Sequence, residues 1–391
     1  MPIQNITVKE LQEHLSDDVI LIDLREENVF AQDHIPHAIR MERDVLLSAD
    51  GTAVYRLIPE LKSHPESCIV VYCQFGVLSK EIAEHLCELG FHALHLEGGY
   101  GKWLAEILLQ TAADETRRET VESSLRKRFR RDITSRFVKA ISNYDLIQPG
   151  DRIAVCISGG KDSMLMAKLF QEIKRRNKIP FAVVFLCMDP GYSEATLGMI
   201  QANASLLGIP LTMFSSPIFD AVDHITQSPC YICARMRRGY LYSKAKELGC
   251  NKISLGHHYD DVIETTLMSI LYSGQVQTMM PKLHSTNFEG MELIRPMYLI
   301  REEDIKKWRD TNGLQFIRCA CHFTDTCSIE GKGDSNSKRL EAKHLIAELK
   351  KTNDNIEGNL FRSMQNIHLD AVLGYKKGES RHSFLDSYDD A

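Results

Sequence analysis

The stretch Ile157-Ser158-Gly159-Gly160-Lys161-Asp162-Ser163 constrains this chain more than any other. An apolar run, Arg152 to Ile157, precedes it and reads as a buried strand, and Met164 to Arg175 after it reads as a helix. Strand, glycine turn and helix aim free backbone N–H groups and the positive end of a helix at a phosphate. The loop is not a Walker A motif, which needs a glycine where Val155 stands. Gly159 and Gly160 permit close backbone approach, Lys161 supplies a point charge, and Ser158 and Ser163 supply hydroxyl donors.

Ser158 to Ser163 resembles the PP-loop of the ATP pyrophosphatases, which split ATP between the α- and β-phosphates. The alternation of strand and helix continues beyond it. Phe181–Met188, Leu211–Phe214 and Lys252–Leu255 read as strands, Thr196–Leu207 and Val262–Tyr272 as helices, which predicts a doubly wound α/β nucleotide-binding sheet. A second polar loop, Gly256-His257-His258-Tyr259-Asp260-Asp261, ends a strand and faces the nucleotide. Asp260, Asp261 and Glu264, with Asp162, are expected to hold Mg²⁺ through oxygens or waters.

The first 110 residues carry their own alternation. Val19–Asp23, Cys68–Tyr72 and Ala93–Leu96 read as strands, with amphipathic Val8–Leu15 and Ser79–Leu89 between them, so a small parallel sheet is predicted. Cys73 is the first residue after its strand and is followed by Gln-Phe-Gly-Val-Leu-Ser and a helix. Backbone N–H groups and a helix N-terminus around a thiol favour its nucleophilic form. Leu21 to Glu26, His34 to Ile39, Cys73 to Ser79 and Glu97 to Trp103 together resemble a rhodanese domain, which implies that Cys73 carries a persulfide. Many rhodanese loops have an arginine where Leu78 stands, and Gln74 is neutral too. The loop therefore offers little cationic help to a small anion such as thiosulfate, and a protein persulfide, as on a cysteine desulfurase, is as good a donor.

Eleven cysteines in a chain without a signal-peptide pattern or an apolar run near ~20 residues point to metal ligands or reactive thiols in the cytoplasm, with no membrane association. Cys230 and Cys233 form a CxxC, and Cys319, Cys321 and Cys327 cluster downstream. Zinc, a [4Fe–4S] cluster with three thiolates and an open iron, and a redox disulfide all fit that spacing. Cys68, Cys87, Cys156, Cys187 and Cys250 read as small buried hydrophobes.

A net charge of −6 does not advertise nucleic-acid binding, so an RNA site must be a local patch. Residues 117–139 hold nine basic residues against Glu119, Glu122 and Asp132. Leu125, Phe129, Ile133, Phe137 and Ile141 recur every four residues, which predicts one amphipathic basic helix able to contact a phosphate backbone.

The second half as a whole resembles the tRNA 2-thiocytidine synthetase family. The matching residues are Ser158 to Ser163, Cys230 and Cys233 with Arg235, Arg237 and Arg238, Gly256 to Asp261, Ile294-Arg295-Pro296, Arg301-Glu302, the cysteines near 320 and Ser363 to Asn366. The resemblance implies ATP, Mg²⁺, a [4Fe–4S] cluster and a tRNA cytosine as substrate. It implies that Cys230 and Cys233 ligate the cluster with a third thiolate from Cys321 or Cys319, and that the base is activated by adenylation. Cys73, Lys161, Asp162, Asp260 and Asp261 are the expected catalytic residues, and Ser158, Gly159, Gly160, Lys161, Asp162, Ser163, Gly256 and His257 the nucleotide contacts. The expected organisation is a rhodanese-like domain over 1–110, a PP-loop thiolase domain over 115–375 and a disordered tail over 376–391; a homodimer is compatible with it. The competing functions are the same chemistry on another RNA base or a small molecule, and a non-enzymatic sulfur or redox sensor.

Overall fold

The computed structural model describes residues 5–14, 19–31, 33–111, 115–176, 178–218, 229–317 and 338–390, with side chains 108–111, 229–234, 387, 389 and 390 outside that description. The first module is a five-stranded, all-parallel sheet of β1 (Asn5–Ile6), β2 (Val19–Asp23), β3 (Ile39–Arg40), β4 (Cys68–Tyr72) and β5 (Ala93–Leu96) in the order β1-β5-β4-β2-β3. Helices α1 (Val8–Glu13), α2 (Glu27–Phe30), α3 (Arg43–Leu47), α4 (Gly51–Leu57), α5 (Val77–Glu88) and α6 (Gly99–Thr111) connect and cover it. The central strand β4 is an unbroken apolar run because helices bury both of its faces. Ile69 and Val71 pack with Ile82 and Leu86 on one face, and Val70 joins the core that continues into the second module on the other.

Helices α7 (Glu115–Arg126) and α8 (Ser135–Asn143) lead into the second sheet. The single helix expected over this stretch is interrupted by a π-helical turn at Arg130–Thr134. The seam explains it. A strict four-residue repeat drifts by about 40° per step on a helix of 3.6 residues per turn, and a wider turn restores the alignment. Leu125, Phe129, Ile133, Phe137 and Ile141 are all buried as a result. The basic face also differs from the expectation. Arg117 donates to Gly313 O, Arg118 to Ser205 O near a helix C-terminus, Arg126 pairs with Glu122 and Glu172, and Arg136 pairs with Asp304. Those four cations hold the fold. Lys127, Arg128, Arg130, Arg131 and Lys139 are exposed.

The second sheet comprises β6 (Arg152–Ile157), β7 (Ala182–Asp189), β8 (Leu211–Ser215), β9 (Lys252–Ser254), β10 (Lys282–His284) and β11 (Glu292–Ile294) in the order β10-β11-β9-β6-β7-β8. Only the β10–β11 pair is antiparallel. Its helices are α9 (Lys161–Arg176), α10 (Glu194–Leu207), α11 (Pro229–Glu247), α12 (Tyr259–Ser273), α13 (Glu302–Thr311), α14 (Lys338–Thr352) and α15 (Ile356–Ser363). The strand order reverses between β6 and β9, which opens a crevice at their carboxyl ends.

Two further expectations are corrected. Residues from 376 onward are not a disordered tail throughout: β12 (Gly374–Lys377) and β13 (Ser380–Ser383) pair as a hairpin about Gly378, closed by Tyr375 stacking on His382. Cys87 is exposed, not buried, because Ile82, Ala83 and Leu86 take the inward stripe of α5; its thiol donates to Ala93 O. Cys156, Cys187 and Cys250 are buried as expected, and burial pushes the Cys156 and Cys187 thiols up to about 12. Among the described residues no helix is long and apolar enough to cross a membrane.

Candidate active site

Both polar loops meet in the crevice. The turn from β6 into α9 places Ser158, Asp162 and Ser163 in the wall of a cavity of about 400 Å³, with Gly256, His257 and Asp261 opposite them. Gly159 has φ +84°, and a Cβ there would lie 2.6 Å from both Ile200 and Ile317, so a side chain is excluded by conformation and by space. Ser163 Oγ ties the turn together: it receives Ser158 N–H at 3.1 Å and donates to Gly160 O at 3.0 Å. These internal bonds brace the turn at the start of a sixteen-residue helix, whose N-terminus faces the crevice.

Lys161 and Gly160 face a second cavity, of about 950 Å³, on the other side of the loop. Asp162 lines both cavities, and Lys306, Arg309, Gln315 and Ile317 complete this one. Lys161 Nζ lies 3.0 Å from Asp162 Oδ2 and 3.3 Å from Glu302 Oε1. Burial works against the Glu302 charge, yet Lys343, Lys161 and Lys306 hold its carboxyl far below the usual carboxylate range. Glu302 therefore stays an anion and keeps Lys161 at the loop. The sequence marks it only within Arg301-Glu302; of its lysines Lys306 lies on its own helix, while Lys161 and Lys343 come from α9 and α14.

The structure brings Asp260 and Asp261 to the crevice but gives them separate duties. Asp260 accepts from Arg301 and from Glu302 N–H, the latter at 2.7 Å, and so anchors the start of α13. Asp261 and His258 form a reciprocal cap on α12, and Arg339 donates to Asp261 Oδ1 at 2.6 Å. Burial raises the Glu264 carboxyl. Among the described residues no three acidic, His or Cys side chains converge as a metal site, so the expected cation cage is not formed by these carboxylates alone. Asp162 Oδ1 is buried without a hydrogen-bond partner, with His258 Nε2 4.0 Å away. His257 is held down to about 4, first by burial and then by the buried Arg295 guanidinium, whose Nε is 3.3 Å from His257 Nδ1. It is neutral near pH 7. Arg237, beside Tyr192, and Arg339 supply cations to the 400 Å³ cavity.

Cys230 and Cys233 lie in the first turn of α11, three residues apart and so on one helix face. Their side chains, and Cys319, Cys321 and Cys327 entirely, fall outside the described residues.

Cys73 directly follows β4 and is 5 % exposed. Its Sγ receives Gly76 N–H at 3.2 Å, immediately before α5, and lies 3.6 Å from Ser79 Oγ. Gly99 has φ +61°, and a Cβ there would collide with Cys73 O. Asp23, Arg25 and Tyr100 brace the neighbourhood: Arg25 binds Asp23 at 2.6 Å and stacks 3.6 Å over the Tyr100 ring.

Comparison with known proteins gives the same two modules. A Rhodanese-like domain matches residues 7–106, and a PP-loop domain matches 127–321. The tRNA-cytidine(32) 2-sulfurtransferase of Anaeromyxobacter dehalogenans is 33% identical over 243 residues, 61% of this chain and 80% of that one. The protein of the same name from Syntrophotalea carbinolica is 35% identical over 242 residues, 60% of this chain and 90% of that one. Among solved structures, the U34-tRNA thiolase NcsA from Methanococcus maripaludis with its [4Fe-4S] cluster aligns with a TM-score of 0.48 at 20% identity, covering 62% of this chain and 80% of that one.

Proposed function

Because the chain belongs to the tRNA-cytidine(32) 2-sulfurtransferase family, we propose that it forms 2-thiocytidine at position 32 of tRNA, in the cytoplasm, with ATP as activator and the rhodanese module as sulfur donor. The observation that supports this most is the internally braced Ser158–Ser163 turn at the β6 carboxyl end, joined in one chain to a rhodanese loop that keeps its cysteine.

In this reading the 400 Å³ cavity takes the nucleoside of ATP, and the loop amides and Lys161 hold its phosphates. The C2 oxygen of the cytosine attacks the α-phosphorus, and pyrophosphate leaves. A hydrosulfide-level sulfur then adds to C2, the C2–O bond breaks, AMP leaves, and the sulfur proton is lost to give the thiocarbonyl. A base in a loop is the accessible target, since the reacting atom must be unstacked. Lys161 stabilises the charge that develops on the phosphates, Glu302 places Lys161, and neutral His257 can donate to the nucleotide from one ring nitrogen. Asp162 Oδ1 is the best placed oxygen for a Mg²⁺ on the phosphates.

The CxxC spacing on α11 suits a [4Fe–4S] cluster, which Cys230 and Cys233 would hold with Cys321 or Cys319 as the third ligand. Such a cluster supplies an open iron on which sulfide can be held. Sulfur that arrives as the outer atom of a Cys73 persulfide is at the zero oxidation level, and the product sulfur is at the sulfide level. Each turnover through Cys73 therefore consumes one two-electron thiol reductant.

Cys73→Ala is expected to lower thiolation driven by glutathione persulfide by ~100-fold, the scale of a lost intramolecular donor, and to leave sulfide-driven thiolation within about twofold. Nucleoside mass spectrometry of tRNA reads both. Equal loss with the two donors would remove Cys73 from the relay.

A further inference from the structure

The two modules meet along a surface with chemistry of its own. α6 lies along α10, and the crossing is lined by small residues. A Cβ at Gly101 would be 3.6 Å from Ala195 Cβ and 3.5 Å from Met199 Sδ, and one at Gly198 would be 3.6 Å from Ala105 Cβ. The same helix holds the persulfide loop, through Tyr100 N–H to Cys73 O and Gly101 N–H to Gln74 O, both at 2.9 Å. Beside this apolar crossing stands one carboxylate. Asp33 Oδ2 receives Tyr100 Oη at 2.6 Å from its own module and Gln315 Nε2 at 2.8 Å from the other. Gln315 lies in the wall of the 950 Å³ cavity that contains Lys161 and Asp162. Two hydrogen bonds on one oxygen thus connect the helix that shapes the Cys73 loop to the wall of the Lys161 cavity.

The contact is not needed to satisfy Asp33 within its own module. Tyr100 Oη and His34 N–H already donate to its two oxygens, and Arg25 donates to its carbonyl. The Gln315 bond is an addition directed across the interface.

We propose that Asp33 is a positioning residue for sulfur handover: it locks the rhodanese module on the PP-loop module so that Cys73 serves the cavity from a docked position and not by diffusing on its connector. The inference rests on the Cys73 relay described above. In the handover an acceptor thiolate on the PP-loop side attacks the outer sulfur of the Cys73 persulfide. The Cys73 S–S bond breaks, Cys73 leaves as a thiolate, and the acceptor becomes the persulfide, so this step needs no oxidant or reductant.

The test uses the full-length protein with three variants: Asp33→Ala, Asp33→Asn, and Gly198→Leu as a wedge placed in the other module. Mass spectrometry reads the loading of Cys73 by glutathione persulfide, and 2-thiocytidine in tRNA is measured with glutathione persulfide or with sodium sulfide. Asp33→Ala and Gly198→Leu are expected to load Cys73 normally and to keep sulfide-driven thiolation within about twofold, while persulfide-driven thiolation falls by ~10-fold or more, the scale of a lost effective concentration. Asp33→Asn retains an acceptor oxygen for Tyr100 and Gln315 and should recover most of that loss. If persulfide-driven rates of both disruptive variants stay within twofold while Cys73→Ala is inactive with this donor, docking is dispensable and the proposal is wrong. Equal loss with both donors would likewise overturn it, by making Asp33 a support for the cavity alone. Should Asp33→Ala fail to load Cys73, Gly198→Leu decides, since it substitutes no rhodanese residue and its own Cys73 loading is measured alongside. Full activity of Cys73→Ala with glutathione persulfide would instead refute the relay itself.

Discussion

Lys161→Ala is expected to reduce both AMP release and 2-thiocytidine formation by ~10³-fold, the upper range for removing one preorganised donor from a developing charge. The size follows from placement. Lys161 is held between Asp162 at 3.0 Å and Glu302 at 3.3 Å, at the first residue of α9. The fold should survive, because Glu302 keeps Lys306 at 3.0 Å and Lys343 at 2.8 Å. Lys161→Arg should not restore activity, since a planar guanidinium does not replace a compact ammonium beside a phosphate. Pyrophosphate release in the presence of tRNA, with the melting temperature as a control for folding, checks this. Retention of more than a tenth of the parent rate by Lys161→Ala would mean that the loop binds ATP without Lys161 contributing to its cleavage.

Cys230→Ser and Cys233→Ser should each reduce thiolation to background with free sulfide as well as with a persulfide donor. That separates them from Cys73→Ala, which should fail with the persulfide only. Both residues occupy the first turn of α11 and would serve one centre, so loss of either removes it. Anaerobic iron and acid-labile sulfide analysis should show iron in the parent and little in the variants. A parent that contains zinc without iron, or a serine variant active with sulfide, would refute the cluster assignment.

The parts of the site that local geometry dictates were legible in the sequence. Ser158 to Ser163 and Gly256 to Asp261 each follow an apolar strand and open a helix, so their position at a sheet edge follows from chain order. Cys73 is the same case. What could not be read was partnership across the chain. Asp260 looks like a catalytic carboxylate beside Asp261, but its partner is Arg301, on the loop before α13. Glu302 stands out only as part of Arg301-Glu302, and its tie to Lys161 could not be read because Lys161 lies on another helix, as Asp261 does for Arg339. Gln315 and Asp33 are 282 positions apart and belong to different modules. The basic segment shows a second limit. Periodicity located its buried seam correctly, yet the π-helical turn arises from the strictness of the repeat, which a tally of apolar positions passes over. Its charge count likewise says nothing of which cations have carboxylates or carbonyls facing them.

That division of cations has a thermodynamic consequence for tRNA binding. Counterion release gives a log–log salt slope of about −0.9 for each phosphate neutralised on a duplex. All nine basic residues of 117–139 acting together would give a slope near −8. Arg117, Arg118, Arg126 and Arg136 already face acceptors of the fold, so ions need not leave the RNA on their account. The five exposed cations limit this face to about −4.5. tRNA affinity measured between 50 and 200 mM salt should therefore change by no more than about 500-fold through this surface. A steeper dependence would mean that the RNA reaches charge elsewhere, and the ionic strength of the assay would report where the substrate lies.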